Sequence, residues 1–169
     1  IGLSVMICAR AMGAGRIFVT DPIRARLAVA GRNGAFWTGS PAEEDVVAAV
    51  AQAAPRLMDA VFECCGQQEA LNQAVDLVKP GGNIMLVGIP ETDRVTVVID
   101  KARRKEICLR NVRRQNGCLH SVLALMDQGG LKPGFMITHR FPFEKTPEAF
   151  DLVGAYADGV VKAMIDFSA

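Results

Sequence analysis

Lys79-Pro80-Gly81-Gly82-Asn83-Ile84-Met85-Leu86-Val87-Gly88-Ile89-Pro90 is the stretch whose reading decides the fold. A helical pattern from Gln67 to Val78 stops at Pro80, Gly81 and Gly82, residues that punctuate rather than continue a helix. Asn83 to Val87 then reads as a strand of nearly pure apolar residues. A strand with one wet face alternates apolar and polar side chains. An unbroken apolar run fits a parallel sheet covered on both faces. Val87-Gly88-Ile89-Pro90 ends the strand with backbone groups that could hold a carboxamide or could form a plain tight turn.

Working outward, the same alternation continues in both directions. Upstream, Met58 to Cys64 reads as a strand closed by Gly66. Ser40-Pro41 opens a helix that runs to about Ala54, with Pro41 in its first turn and Glu43, Glu44 and Asp45 near the positive end of its dipole. Ala35 to Thr38 is a short strand, Ile23 to Arg32 a helix ended by Gly34, and Ile17 to Val19 a strand that runs out at Asp21-Pro22. Leu3 to Met12 is a helix that stops at Gly13. Downstream, Val95 to Ile99 and Ile107 to Val112 are strands, and Cys118 to Met126 is a helix. An extended segment from Ile137 to Phe141, a helix from Pro147 to Ala157 and a strand from Val160 to Phe167 complete the chain. Strand and helix alternating at this spacing mean βαβ units, an α/β protein and a doubly wound parallel sheet of the Rossmann kind. The pattern weakens after Arg114. The expected division is a cofactor-binding domain over 1–114 and a separate segment over 115–169. The chain begins with Ile rather than Met, so the expectation is a fragment truncated at the first strand of its sheet.

Composition narrows the function classes. Nineteen basic and 18 acidic residues leave a net charge of +1, and there is one Trp and one Tyr. That is not the basic, aromatic-interleaved face of a nucleic-acid partner. No apolar run approaches the roughly 20 residues that span a bilayer. The five cysteines form no C-x-x-C pair, and no His pair nearby completes a zinc signature. An odd cysteine count in such a chain suggests reduced thiols and a cytoplasmic location.

Asp21 is the foremost candidate for chemistry. In a doubly wound sheet, ligands bind outside the carboxyl ends of the strands. A carboxylate there accepts both hydroxyls of an adenosine ribose and repels a 2′-phosphate, which selects NAD over NADP. Its distance from Gly2 is close to the ~20 residues expected between a glycine-rich turn and its acid. An Asp before Pro is equally a helix N-cap. Cys64 and Cys65 end a strand beside Gly66; a nucleophilic thiol there needs a base, and packing against a flat ligand is the plainer role. Arg113 and Arg114 follow another strand end, where adjacent side chains point to opposite faces. Two solvated bases would look the same. His120 and His139 are isolated.

Taken together these pieces resemble the medium-chain dehydrogenase superfamily, most closely its sorbitol/polyol branch. Ile1-Gly2 and the helix after it are similar to the end of that family's G-x-G-P-I-G turn. Val19-Thr20-Asp21 is similar to its ribose-binding strand end, Asp21 to Leu27 to its D-x-x-x-x-R-L, and Phe62 to Gly66 to its E-C-T-G. Gly81 to Gly88 matches G-G-x-x-x-x-V-G, and Ile137 to Val153 resembles T-H-R-F-P-L-E…A-F. The resemblance implies NAD as cofactor, with Ile1 and Gly2 closing over the pyrophosphate, Asp21 on the ribose and Arg26 over the adenosine. It implies that Cys64, Val87, Gly88 and Ile89 line the nicotinamide side, joined by Asn111, Val112 and Arg113 from the next strand. Arg113 would reach substrate hydroxyls. The family pattern like V-F-R-Y is here Asn111-Val112-Arg113-Arg114, which puts Arg114 where a substrate-contacting Tyr is expected. The implied activity is hydride transfer from a polyol or secondary alcohol, with zinc held by residues outside this chain, so that the isolated chain is inactive. The resemblance also implies self-association through an edge strand at Val95–Ile99 with Val95, Val97 and Ile99 on one side. A zinc-free quinone or enone reductase, a non-enzymatic nucleotide-binding module and an S-adenosylmethionine site are the competing readings.

Overall fold

The computed structural model describes residues 1–168. The elements in chain order are α1 (Gly2–Ala11), β1 (Phe18–Thr20), α2 (Arg24–Arg32), β2 (Trp37–Gly39), α3 (Val46–Ala53), β3 (Met58–Glu63) and α4 (Gln68–Leu77), followed by β4 (Val78–Leu86), α5 (Ile99–Arg104), β5 (Cys108–Asn111), α6 (Leu119–Asp127), β6 (Ile137–Pro142), α7 (Thr146–Gly154) and β7 (Lys162–Asp166). Every strand pairing among the described residues is parallel. The strands form three sheets, β1-β2, β3-β4-β5 and β6-β7. The chain divides into two compact units. One comprises Ile1–Gly2 and Glu44–Cys118; the other comprises Leu3–Glu43 and the chain from Leu119 on.

The first unit is built on α4. Its Leu71, Ala74 and Val75 recur at three- and four-residue spacing, so they share one helical face. That face packs with Val78 and Ile84 of β4 into a core that Val61, Leu86, Val97 and Ile107 flank. The carbonyls at the C-terminal end of α4 lack helical partners. Lys105 supplies them: its Nζ donates to the carbonyl oxygens of Val75, Asp76 and Val78 at 2.9, 2.8 and 3.0 Å. In register, Glu63 faces Leu86 and Leu86 faces Asn111, so the three parallel strands end together.

In the second unit, α2 joins β1 to β2 and α7 joins β6 to β7, giving two parallel βαβ crossovers. Leu27, Val29 and Ala30 form the buried side of α2. Thr138 of β6 fastens the start of β7, because its Oγ1 accepts the Val161 N–H at 3.0 Å.

Several expectations need correction. The helix expected from Ser40-Pro41 starts at Val46. Ser40 instead makes a turn, its Oγ accepting the Ala42 N–H. Asp45 is the N-cap, accepting the N–H groups of Val47 and Ala48 at 3.0 Å each. A side-chain acceptor two to three residues before orphan amides outweighs Pro41 as a start signal. Val95–Ile99 is not a strand: 94–98 has no regular structure and Ile99 opens α5. Thr96 meets a side chain where a neighbouring strand was expected, since Gln68 accepts its N–H and donates to its carbonyl, both at 2.8 Å. Val97 packs on the core while Val95 and Ile99 are exposed, so the three do not share a side. Arg113 and Arg114 lie beyond the end of β5, so strand alternation does not govern them; Arg114 is left-handed at φ +56°.

Candidate functional site

Each unit carries part of the expected machinery. In the first, the carboxyl ends of β3, β4 and β5 bring Cys64, Val87, Gly88, Asn111 and Val112 into one row. The row is knitted by the backbone. Glu63 O accepts from Val87 N and Gly88 N at 2.8 and 2.9 Å, and Leu86 O accepts from Val112 N at 2.9 Å. The N–H groups of Val87 and Gly88, expected to be open at a turn, are therefore already paired. Ile89 projects beyond them, 85% exposed. A methyl placed on Gly2 would lie 3.9 Å from the Cys64 Cβ, so the start of the chain sits against this row. Ile1, Asn111, Val112, Arg113 and Arg114 are exposed.

Beneath the row lies a residue that sequence reasoning passed over. Glu63 is 6% exposed, although its side chain is a carboxyl group. Its Oε1 accepts from Cys65 N and Gly66 N at 2.7 Å each and from the Cys65 thiol at 3.0 Å. Carboxylates stay buried when such donors replace water. Gly88 passes so close that a side chain there would meet Gly66 N at 2.1 Å and Glu63 Oε2 at 2.5 Å. The signal available in sequence was an acid ending an apolar strand, followed within three residues by Gly.

This environment acts on both thiols. Burial, then the neighbouring Glu63 charge, pushes the Cys64 thiol up to about 11. Burial and the hydrogen bond to Glu63 push Cys65 up as well. Both thiols are protonated at neutral pH, which suits packing and opposes a nucleophilic role.

In the second unit, Asp21 is the first residue after β1 and is 26% exposed at its side chain. It is not the N-cap of α2; that position is Ile23, which makes no side-chain cap. Asp21 Oδ1 accepts the Ile23 N–H at 2.8 Å and so braces the entry to the helix. Oδ2 lies 3.8 Å from Arg26 Nη1, an ion pair too long for a hydrogen bond. A carboxylate offers about four acceptor positions, so capacity remains for ligand hydroxyls. Arg26 also faces the ring of Tyr156, its Cζ 4.9 Å from the centroid. Tyr156 is the second contributor that the sequence did not announce. His139 is accounted for by Thr138 at 3.0 Å and Asp158 at 3.2 Å, and His120 lies exposed on α6.

Among the described residues no three of His, Cys, Asp and Glu are grouped to hold a metal ion. The adjacent thiols of Cys64 and Cys65 are held protonated, and that of Cys65 already donates to Glu63, so the donor set does not fit zinc.

Parallel βαβ crossovers with glycine-closed strand ends and an acid past β1 define a Rossmann-type α/β protein. Residues 1–128 match the zinc-binding dehydrogenase family, and the chain belongs to it. It is 32% identical over 155 residues to a sorbitol dehydrogenase from Gallus gallus, covering 89% of this chain and 43% of the relative. It is 29% identical over 173 residues to an L-idonate 5-dehydrogenase from Vitis vinifera, covering 98% and 47%. A solved structure described as a zinc-binding dehydrogenase from Sinorhizobium meliloti bound to NADP matches with a TM-score of 0.87 and 26% identity, covering 98% of this chain and 49% of that one. The chain spans less than half the length of these proteins. No helix among the described residues is long and apolar enough to cross a membrane.

Proposed function

We propose that this chain is the NAD-binding part of an enzyme that oxidises a polyol or secondary alcohol by hydride transfer. The observation that carries the reading is Asp21: a half-buried carboxylate immediately beyond a parallel strand, with one oxygen spent on Ile23 and acceptor capacity left over. Its negative charge favours a ribose with free hydroxyls and opposes a 2′-phosphate, although one similar structure holds NADP. The same acid argues against the NADPH-dependent reductase reading.

In this proposal Asp21 serves the adenosine ribose and Arg26 covers the adenosine. In the other unit Ile1 and Gly2 serve the pyrophosphate, and Cys64, Val87, Gly88, Ile89, Asn111, Val112 and Arg113 serve the nicotinamide side. Neutral thiols and aliphatic groups there keep water from a flat ring, and Arg113 and Arg114 contact substrate hydroxyls. When bound, the dinucleotide supplies the hydride acceptor. The polyol class rests on the sorbitol and L-idonate dehydrogenase relatives. Zinc, which the family's name implies, has no ligand set among the described residues, so in this reading its ligands belong to the remainder of a longer protein and the chain by itself does not turn over.

The division at Arg114 between a cofactor-binding part and a segment leading to the rest of that protein belongs to the same proposal. So does a cytoplasmic location, supported by five unpaired cysteines. Self-association through the Val95–Ile99 segment, where Val95, Val98 and Ile99 are exposed, is a further part; a strict monomer in sedimentation velocity at high concentration removes it. Calorimetry of the chain with NAD, NADP and S-adenosylmethionine tests the central reading. NAD binding in preference to NADP is the expected result, and binding of S-adenosylmethionine alone overturns it.

A further inference from the structure

We infer that Tyr156 is a specificity-determining positioning residue: by stacking on Arg26 it withholds that guanidinium from a 2′-phosphate and so sharpens the preference of Asp21 for an unphosphorylated ribose. The inference rests on the proposed dinucleotide reading and adds a residue and a device to it.

Three observations converge on the turn between α7 and β7. First, the Arg26 guanidinium lies over the Tyr156 ring, 4.9 Å from centroid to Cζ, while its ion pair with Asp21 Oδ2 is 3.8 Å long. A pair of that length does not fix the plane of a guanidinium; a ring face does. Second, Tyr156 holds a left-handed backbone at φ +50°, and Asp158 and Gly159 follow at +47° and +65°. Such a conformation is costly for a bulky residue and persists only when its surroundings enforce it. Third, those surroundings are visible. Asp158 is tied to His139 of β6 at 3.2 Å, and a methyl on Gly159 would stand 3.2 Å from the Ala25 Cβ, one residue from Arg26. The turn is thus fastened to β6 and seated on α2, and it delivers an aromatic face to one side chain.

The consequence follows from the chemistry of arginine. A guanidinium beside a ribose-binding acid is the natural partner of a 2′-phosphate, because its fork of N–H donors matches phosphate oxygens. Arg26 and Asp21 therefore pull cofactor choice in opposite directions. Tyr156 decides the contest by parking the guanidinium against its ring. Tyr156 is 60% exposed, so its ring carries little core packing, and removing it alters the arginine more than the fold.

The test is a set of titrations with NAD and NADP on the full chain. Tyr156→Ala is expected to narrow the NAD:NADP affinity ratio about 2- to 5-fold, the range of an exposed cation–π contact, chiefly by strengthening NADP. Tyr156→Leu, which keeps bulk without a π face, should narrow it equally and guards against a folding defect in the alanine variant. Tyr156→Phe should retain the parent ratio. In an Arg26→Ala background, Tyr156→Ala should change nothing further. An unchanged ratio in both Tyr156→Ala and Tyr156→Leu, or the same narrowing with Arg26 absent, overturns the inference. Asp21→Ala separates the two levels: if it shifts the ratio while the Tyr156 variants do not, the positioning role fails and the ribose reading stands. If Asp21→Ala leaves the ratio unmoved, the ribose reading itself fails.

Discussion

Glu63 is the last residue of β3, and Asp21 is the first residue after β1. Both are carboxylates at the carboxyl end of a parallel strand, the location at which this class of sheet binds ligands, and their surroundings differ in almost every respect. Glu63 is shielded from water, with two backbone amides and a thiol turned toward one of its oxygens and Gly88 pressed against the other. Asp21 spends one oxygen on Ile23 and leaves the other beside a cation at ion-pair distance. Position along a strand therefore does not separate scaffold from site. The number of donors already satisfied does. A saturated acid holds the row of strand ends in place, whereas an unsaturated one can still accept hydroxyls from outside.

The largest expected effect breaks the saturated side. Gly88→Ala puts a Cβ 2.1 Å from Gly66 N, and backbone must move to admit it. The expected loss is about 3 kcal/mol, the upper end of ordinary overpacking, read from urea unfolding. A variant as stable as the parent would mean that Gly88 is not packed against the Glu63 turn. Glu63→Ala follows at about 2 kcal/mol, because Cys65 N and Gly66 N lose their acceptor within a part-buried turn. If Glu63 is scaffold, this variant still discriminates NAD from NADP as the parent does. A collapse of that discrimination, in protein shown to be folded, would place Glu63 on the ligand side of the comparison.

How far the residues announced this themselves is instructive. The apolar run expected from Asn83 to Val87 forms the end of β4, which closes at Leu86, and the helix expected over Gln67 to Val78 is α4, Gln68–Leu77. The strand was legible because an unbroken apolar run fits a sheet covered on both faces, and the helix because its apolar residues recur at three- and four-residue spacing. The place of Asp21, just past the end of β1, was legible because it depends only on the chain immediately before and after it. Glu63 was harder, since an acid in a strand normally marks a wet face, and its donors are visible only once the turn at Cys65 and Gly66 closes. Tyr156 was not legible at all: 130 residues separate it from Arg26, and no local pattern records a contact at that distance. Val95–Ile99 misled for a related reason. Its β-branched residues favour strand, but the hydrogen-bonding partner of Thr96 is the Gln68 side chain rather than another strand.

On the unsaturated side, Asp21→Ala is expected to reduce the NAD:NADP affinity ratio about tenfold, equivalent to about 1.4 kcal/mol, by removing both the ribose acceptor and the charge that opposes a phosphate. The accompanying loss of stability should be smaller, about 0.5–1 kcal/mol, since only the brace on Ile23 N is lost. Competition titrations and urea unfolding on the same preparations give both numbers. A variant that loses stability but keeps its cofactor ratio would make Asp21 a second scaffold acid and erase the contrast with Glu63.

The smallest effect, invisible at neutral pH, sharpens the comparison through the two thiols beside Glu63. Burial first, and the Glu63 charge second, hold Cys64 at about 11, against about 8.5 for a cysteine in an unfolded chain. Because the folded value is the higher, the folded state keeps a proton that the unfolded state releases between these values. The contribution to stability is complete below pH ~8.5 and is lost as pH rises toward 11. Unfolding midpoints should therefore fall more steeply above pH ~8.5 in the parent than in Cys64→Ala, while iodoacetamide labels Cys64 slowly at pH ~7.5. Glu63→Gln retains the size of the side chain and removes the charge that, after burial, raises Cys64, so Cys64 should label at lower pH in that variant. An unchanged labelling profile would mean that burial alone sets Cys64 and that the charge of Glu63 is not felt there, leaving its hydrogen bonds as its whole contribution.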